Sequence, residues 1–464
     1  MKSEQEEQQS PKPINWKKNV ALFLSGQGVT LFGSMVVSYA VMWHITLVTK
    51  SGVAMMFIVL SSAIPMFFIS PFGGVWADRF NKKHLINIAD GCIAFVTLIM
   101  ASLFSFGLQY IALLLICLAM RGLGQGVQTP AVSSLIPEIV PEEQLVRVNG
   151  FNSTLQSVVM FGSPIAGGAL IAFAPIQTAL FVDVVTAIIG ISILYFLVKT
   201  PPPRRESEVK TAFGDMKEGL IYVKGHAFVK SFLLLGLFFN LLVAPAAMLT
   251  PLQVVRNYGE EPWRLVAIEL AFIIGMTLGG LIIGVWGGFK NKSVTMFIAT
   301  VFSGFSVAGL GLFDNFYLYL SCMLAAGLLA SAFSAPLMAI LQSKVEPDFM
   351  GRVFSVMTML SSIAMPAGMF VWGPLSDIVS IDLLLIISGV GIFALSGMFI
   401  FNKPLWEAGI TEESQIPDDL DEEEQVPGDP NQEEQVLIDT NQEDQVLSNP
   451  NQDNKVPDDP NDVE

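Results

Sequence analysis

The residues from Gly73 to Leu85 read GGVWADRFNKKHL, and five of these thirteen side chains are ionisable: Asp78, Arg79, Lys82, Lys83 and His84. On each side stands an apolar run long enough to cross a bilayer. A stretch so charged has no place in hydrocarbon, so it is expected as a tight turn joining two membrane-spanning helices, held at the cytoplasmic face by its basic residues. The pair Gly73 and Gly74 lets two helices approach closely. Asp78 supplies a negative charge at a helix end. Together these features make a device for locking and unlocking helices.

Of the 464 residues, 52% are hydrophobic and only 14% charged, and the mean hydropathy is positive. A soluble chain of this length exposes far more charge, so the class is a polytopic membrane protein. The net charge of −16 is local. From Lys403 onward the chain carries 20 acidic and 2 basic residues, which leaves the rest close to neutral at +2. Apolar runs of about 20 residues recur twelve times, at 19–48, 53–77, 84–106, 108–131, 146–173, 176–199, 229–254, 263–287, 293–313, 315–342, 352–377 and 380–402. An even number puts both termini on one side. With that side cytoplasmic, 21 of the 25 Lys and Arg fall in cytoplasmic segments, Lys50, Arg256 and Arg264 fall outside, and Arg121 lies within a span; this is the positive-inside pattern. The polar first 18 residues lead into a span too long for a signal-peptide core, so no cleavage is expected. Cys92, Cys117 and Cys322 lie in apolar runs without metal-ligand or disulfide-framework spacing, and read as free buried thiols.

Five segments follow: a cytoplasmic N-terminal segment (1–18), a six-helix bundle (19–199), a cytoplasmic central loop (200–228), a second six-helix bundle (229–402) and a tail (403–464). The loop opens with PPPRRESEVK, whose prolines end helix 6, and TAFGDMKEGLIYVKGHAF (211–228) is expected as a short amphipathic helix along the membrane surface. The tail repeats a ten-residue acidic unit, DEEEQVPGDP, NQEEQVLIDT, NQEDQVLSNP and NQDNKVPDDP, and is expected to be disordered for want of apolar residues. The two bundles are themselves a repeat. RGLGQGVQTPAVSSLIPEIVPEEQLVRVNG, from Arg121, has a counterpart in AGLLASAFSAPLMAILQSKVEPDFMGRVFS, from Ala326, and Pro130 and Pro141 pair with Pro336 and Pro347. Duplicated six-helix halves around a central aqueous site are the architecture of an alternating-access transporter.

Ionisable groups inside spans are expensive and need a reason. Arg121, two-thirds through helix 4, is expected to face the interior with a partner, either for proton coupling or as a structural ion pair. Asp183 in helix 6 and Glu269 in helix 8 lie about two turns in from the outer face; desolvation favours the neutral form of a carboxyl group, as a proton carrier near neutral pH requires. The alternative for both is a hydrogen bond to a neighbouring helix. Asp90 in helix 3 is expected as a structural partner for the basic turn or for helix 2. In helix 5, MFGSPIAGG carries Pro164, Gly167 and Gly168, which bend the helix and admit close contact. Gln27, Gln128 and Asn240 are polar side chains within spans and candidate substrate-lining residues, among Phe and Met that suit bulky amphiphilic molecules. A phosphate-cradling glycine loop with lysine, an H-E-x-x-H pair and a cysteine framework are all missing, so ATP-driven transport, a metal, a cofactor and enzymatic catalysis have no support in the sequence.

The order of Gly74, Ala77, Asp78, Arg79, Lys82 and Lys83 resembles the signature loop between helices 2 and 3 of the major facilitator superfamily, with Trp76 where leucine is usual and Asn81 where glycine is usual. Arg121 followed by Gly124 and Gly126 is similar to a second motif of that superfamily, linked to proton coupling. The helix 5 stretch is similar to a third, typical of drug-for-proton exporters, with Ser163 in place of the usual glycine. Residues 16–402 resemble the macrolide-efflux branch in DRFNKK, RGLGQGVQTP, VPEEQL, MGRVFS and DMKEG. The resemblance implies an all-α polytopic membrane protein of twelve transmembrane helices in two pseudo-symmetric bundles. It also implies that Asp78 caps helix 11, which Gly351 and Arg352 open, when the cytoplasmic side is shut. The function implied is export of a hydrophobic or amphiphilic small molecule by proton antiport, from a monomer with no nucleic-acid partner, in a bacterial plasma membrane. Rival readings are an exporter of an endogenous metabolite such as a siderophore, and a non-transporting scaffold whose acidic tail recruits a partner.

Overall fold

The structure, a computed structural model, describes residues 15–200 and 221–410. These lie in a single compact unit, Met1–Thr411. Residues 1–14 of the N-terminal segment, most of the central loop with the greater part of its expected amphipathic helix, and the tail beyond Ile410 lie outside the described residues; residues 403–410, expected as part of a disordered tail, are ordered and begin with a short helix. What is described is helical, with twelve helices long and apolar enough to span a membrane: α1 (Trp16–Thr49), α2 (Gly52–Arg79), α3 (Lys82–Ser105), α4 (Ile111–Ile139), α5 (Leu145–Phe173), α6 (Ile176–Ser192), α7 (Ala227–Asn257, broken by a turn at Leu249), α8 (Pro262–Trp286), α9 (Lys292–Leu312), α10 (Phe316–Lys344), α11 (Pro347–Leu375) and α12 (Ile381–Phe401). A helix satisfies its own backbone groups, which is what hydrocarbon demands.

Polar residues just ahead of the apolar runs start several helices. Asn15, Ser51, Asn81, Asn291, Asn315 and Ser380 each accept a hydrogen bond from a first-turn backbone N–H. Asn81, the departure in the signature turn, thus has a physical role: its side chain accepts from His84 N at 3.3 Å and opens α3. Helix ends differ from the hydropathy reading at α4 and α11, among others. The helix α4 continues through Pro130 and Pro137 to Ile139, and α11 begins at Pro347, because helix outlasts hydrocarbon where the bundle projects into water. After Phe401 the short α13 (Lys403–Glu407) turns back on α9: Ser293 Oγ donates to Leu405 O at 2.8 Å and Lys292 N to Gly409 O at 2.9 Å.

The repeat is visible in the neighbours each helix takes. In the first half α2 lies along α4, α1 packs on α5 and α6, and α3 packs on α4 and α6; in the second half α8 lies along α10, α7 packs on α11 and α12, and α9 packs on α10 and α12. Between halves, α2 meets α11 and α5 meets α8. Glycine allows the closest of these approaches. A Cβ on Gly122 would strike the backbone oxygen of Ser62 in α2, and one on Gly327 that of Phe272 in α8, so the α2–α4 and α8–α10 pairs are in near backbone contact.

The apolar core is divided unequally. At one end of the bundle a single cluster draws on both halves, from Trp43, Met55, Phe104 and Leu180 to Leu252, Leu265, Tyr319 and Met369. At the other end, where Asp78 lies, each half has its own cluster. One is built from Phe23, Ile86 and Leu135, the other from Phe232, Met296, Ile340 and Phe399. The buried apolar cores are therefore joined across the halves at one end and separate at the Asp78 end.

Candidate functional site

The signature turn sits at the end where the cores are separate. Lys82 pairs with Glu138 at the end of α4, and Lys83 Nζ donates to Val198 O, beyond α6, at 2.6 Å. The basic residues thus tie α3 to its own half. Asp78 is exposed and, among the described residues, bonds to nothing. The start of α11, its expected partner, has no side-chain cap from Glu346. Gly73 packs against the α4 backbone at Gly126 and Val127, whereas Gly74 and Gly351 both face open space. In this conformation the bridge from Asp78 to α11 is parted.

The opposite end carries a bridge the sequence reading did not foresee. Asp377, just past α11, accepts from Ser51 Oγ (2.7 Å), Gly52 N (2.6 Å) and Val53 N (3.0 Å), and so caps the first turn of α2 in the other half. Arg256 at the end of α7 donates to Asp377 Oδ1 (2.7 Å), Ser376 O (2.6 Å) and Lys50 O (2.7 Å), and Lys50 pairs with Glu260. Burial by itself raises the Asp377 pKa, but the bonds from Ser51, Gly52, Val53 and Arg256 outweigh it and hold the carboxyl below its ordinary value. Gly52 is required beneath the clasp, since a Cβ there would strike Ser376 Oγ and Gly373 O. Every side-chain hydrogen bond between the halves among the described residues belongs to this clasp. The signal was in the charges: Lys50 and Arg256 are two of the three basic residues that the positive-inside reading left on the far side.

Two of the intramembrane candidates prove to be one pair. Arg121 and Asp183, 2% and 1% exposed, form an ion pair. Arg121 Nη1 also donates to Thr97 Oγ1 (2.6 Å) and Nη2 to Ser34 O (3.4 Å), while Ser34 Oγ donates to Asp183 Oδ1 (3.0 Å). Four helices, α1, α3, α4 and α6, meet on this network. Beside it a cavity of about 460 Å³ opens in the first half, lined by α1, α2, α3 and α4. Gln128 lines it and donates to Gln27 Oε1 at 3.2 Å. Asp90 lines it too, which corrects the expectation that it partners the basic turn or helix 2: it is 2% exposed and its Oδ2 has no hydrogen-bond partner.

Glu269 stands apart from that pair. It is half-buried on α8, bonds to no described side chain, and lies within electrostatic reach of Tyr39 across the halves. Asn240 donates to Gly236 O, one turn back in α7, at 2.8 Å, and is not among the cavity-lining residues. The helix 5 glycines mediate contact. Gly167 packs on Tyr39 and Val36 of α1, and a Cβ on Gly168 would strike Val266 of α8 in the other half, with Pro164 buried one turn earlier.

Two bundles related by repeat, apolar cores joined at one end alone and a cavity within one bundle define the class of a membrane transporter. Residues 20–369 match the Major Facilitator Superfamily. The chain belongs to that family and is a multi-pass membrane protein. It is 27% identical over 386 residues to Macrolide efflux protein A of Streptococcus pyogenes, covering 82% of this chain and 95% of that protein. It is 20% identical over 387 residues to the Staphyloferrin A transporter of Staphylococcus aureus, covering 82% and 95%. Among solved structures it resembles the nucleoside transporter NupG, with a TM-score of 0.67 at 12% identity, covering 83% of this chain and 99% of that one.

Proposed function

We propose that this chain is a monomeric secondary active transporter of a bacterial plasma membrane, which exports a hydrophobic or amphiphilic small molecule of macrolide type in exchange for protons. The observation that carries the reading is the division of the cores: one cluster joins both halves at the Asp377 end, while each half keeps its own at the Asp78 end. Bundles joined at one end alone can rock about the midplane, closing one mouth as the other opens. With the Asp78 end cytoplasmic, as the distribution of positive charge supports, this conformation is inward-open and the Asp377 clasp is the outer gate. In the alternate state the clasp parts and Asp78 approaches the N-terminal end of α11, which opens at Pro347 and carries Gly351 and Arg352 in its second turn rather than at its start, through the same attraction between a carboxylate and a helix N-terminus.

The proton carriers proposed are Asp183, held by Arg121, and Glu269, which has no bonded partner. Protonating Asp183 would remove the charge that fixes Arg121 and bias the two-state equilibrium. Gln128 supplies a polar contact at the cavity, and Gln27, which does not line it, accepts from Gln128. The macrolide efflux relative supports the substrate class; the staphyloferrin relative supports a second reading, export of an endogenous metabolite such as a siderophore. The test is accumulation of macrolides and tetracyclines, and of a siderophore, in cells with and without the gene, each with and without a proton uncoupler. Lower accumulation that the uncoupler abolishes is expected for one of the two classes. Accumulation unchanged by the gene for every compound overturns export, and export that survives the uncoupler overturns proton exchange.

A further inference from the structure

Asp90 is the one charged residue that lines the cavity in the first half. Its carboxylate is buried, its Oδ2 is unpartnered, and the nearby Asp183 adds a second negative charge. The cation that would ordinarily neutralise such a group is already committed. Arg121 spends Nη1 on Asp183 and Thr97 and Nη2 on Ser34 O. Gln27 and Gln128, bonded to each other, stand within hydrogen-bonding reach of the Asp90 carboxylate, but Oδ2 remains without a partner and an amide brings no charge. A buried carboxylate without a counter-ion is strongly unfavourable, and this one sits in a space large enough for a ligand. Around it the walls are soft and apolar at Met35, Met42, Met66 and Ile93, surfaces that adapt to alkyl groups.

We infer that the Asp90 end of this cavity is an ammonium-binding subsite: the transported molecule carries a protonated amine that pairs with the Asp90 carboxylate, its alkyl substituents lying against the methionines and its polar groups meeting Gln125 and Gln128. This rests on the exporter reading and narrows the substrate to basic amphiphiles. It also gives Asp90 a role separate from the proton carriers.

The test is equilibrium binding to the purified full-length protein in lipid nanodiscs, with two matched pairs of probes. One pair is erythromycin, which carries a tertiary amine, and its neutral N-demethyl-N-acetyl counterpart; the other is propranolol and its neutral N-acetyl form. The unaltered protein is expected to bind at least one amine about tenfold or more tightly than its neutral partner. Asp90→Asn is expected to erase that preference, and Asp90→Glu to keep it. Equal affinity within both pairs for the unaltered protein, binding of no probe, or a preference that persists in Asp90→Asn each overturns the subsite. The measurement needs no transport, so a protein that binds amines through Asp90 yet moves nothing in proteoliposomes overturns the exporter reading and leaves the subsite standing.

Discussion

Arg121 illustrates how much one residue reveals before its partner is known. An arginine inside an apolar span must be paired, and Asp183, sixty-two positions on, is the partner. Both side chains are almost fully buried, so removing either leaves an uncompensated charge in the bundle. Arg121→Ala and Asp183→Ala should each cost about 3–5 kcal/mol, whereas the double variant Arg121→Met with Asp183→Leu should recover most of that loss. Thermal unfolding of the detergent-purified protein checks the ordering. Transport should remain absent in all three if the pair also carries protons; normal transport by the double variant would reduce it to a structural ion pair. Asp90 shows the reverse case: its residue type was plain, but its lack of a partner is a property of four helices together.

At the scale of elements, two carboxylates stand in inverted positions. Asp78 lies in the last turn of α2 at one end; Asp377 follows α11 and caps the start of α2 at the other. If they are alternating locks, their removal should have opposite effects on conformation. Asp377→Asn removes a helix-capping charge worth about 1–2 kcal/mol, which shifts a two-state equilibrium roughly tenfold, and Gly52→Val should shift it further by wedging the α2–α11 contact. Spin-label distances between the α2–α3 turn and the start of α11 should shorten in both variants. In Asp78→Asn the same distances should stay long while transport falls and the protein remains in the membrane; unchanged transport would remove Asp78 from the mechanism. The pH dependence of the clasp follows from its depressed pKa. Asp377 stabilises the clasp fully above the ordinary value of 3.8 and loses that contribution only as pH falls through its lower, bonded value. Label distances measured from pH 8 to pH 5 should therefore report no loosening at this end, and a transition within that range would assign pH sensing to the clasp.

For the whole molecule, the packed body extends past the last membrane helix. Leu405 belongs to the core of the second half, and Asn291 and Ile410 form a backbone bridge. Truncation after Ile410 should leave both membrane insertion and transport unchanged, because it removes only chain that follows the packed α13 segment, the acidic repeat included. Truncation after Asn402 should lower the melting temperature of the purified protein, since it strips α13 from α9 and uncovers Phe297 and Phe399. Loss of function on the shorter deletion alone would favour a recruiting role for the tail over a transporter whose activity resides in the body.

The number of helices, their pairing by repeat, the signature turn and the identity of the interior ionisable groups were all legible in the chain, because hydrocarbon penalises every unsatisfied polar group and so writes its constraints into local composition. What the chain does not state is which distant groups meet. The Arg121–Asp183 pair, the isolation of Asp90 and the clasp from Asp377 to Ser51, Gly52 and Val53 join residues separated by tens to hundreds of positions, and each depends on the packing of several helices at once. Which end is shut was decided at that level alone, because the same sequence serves both conformations and only the contacts between its halves distinguish them.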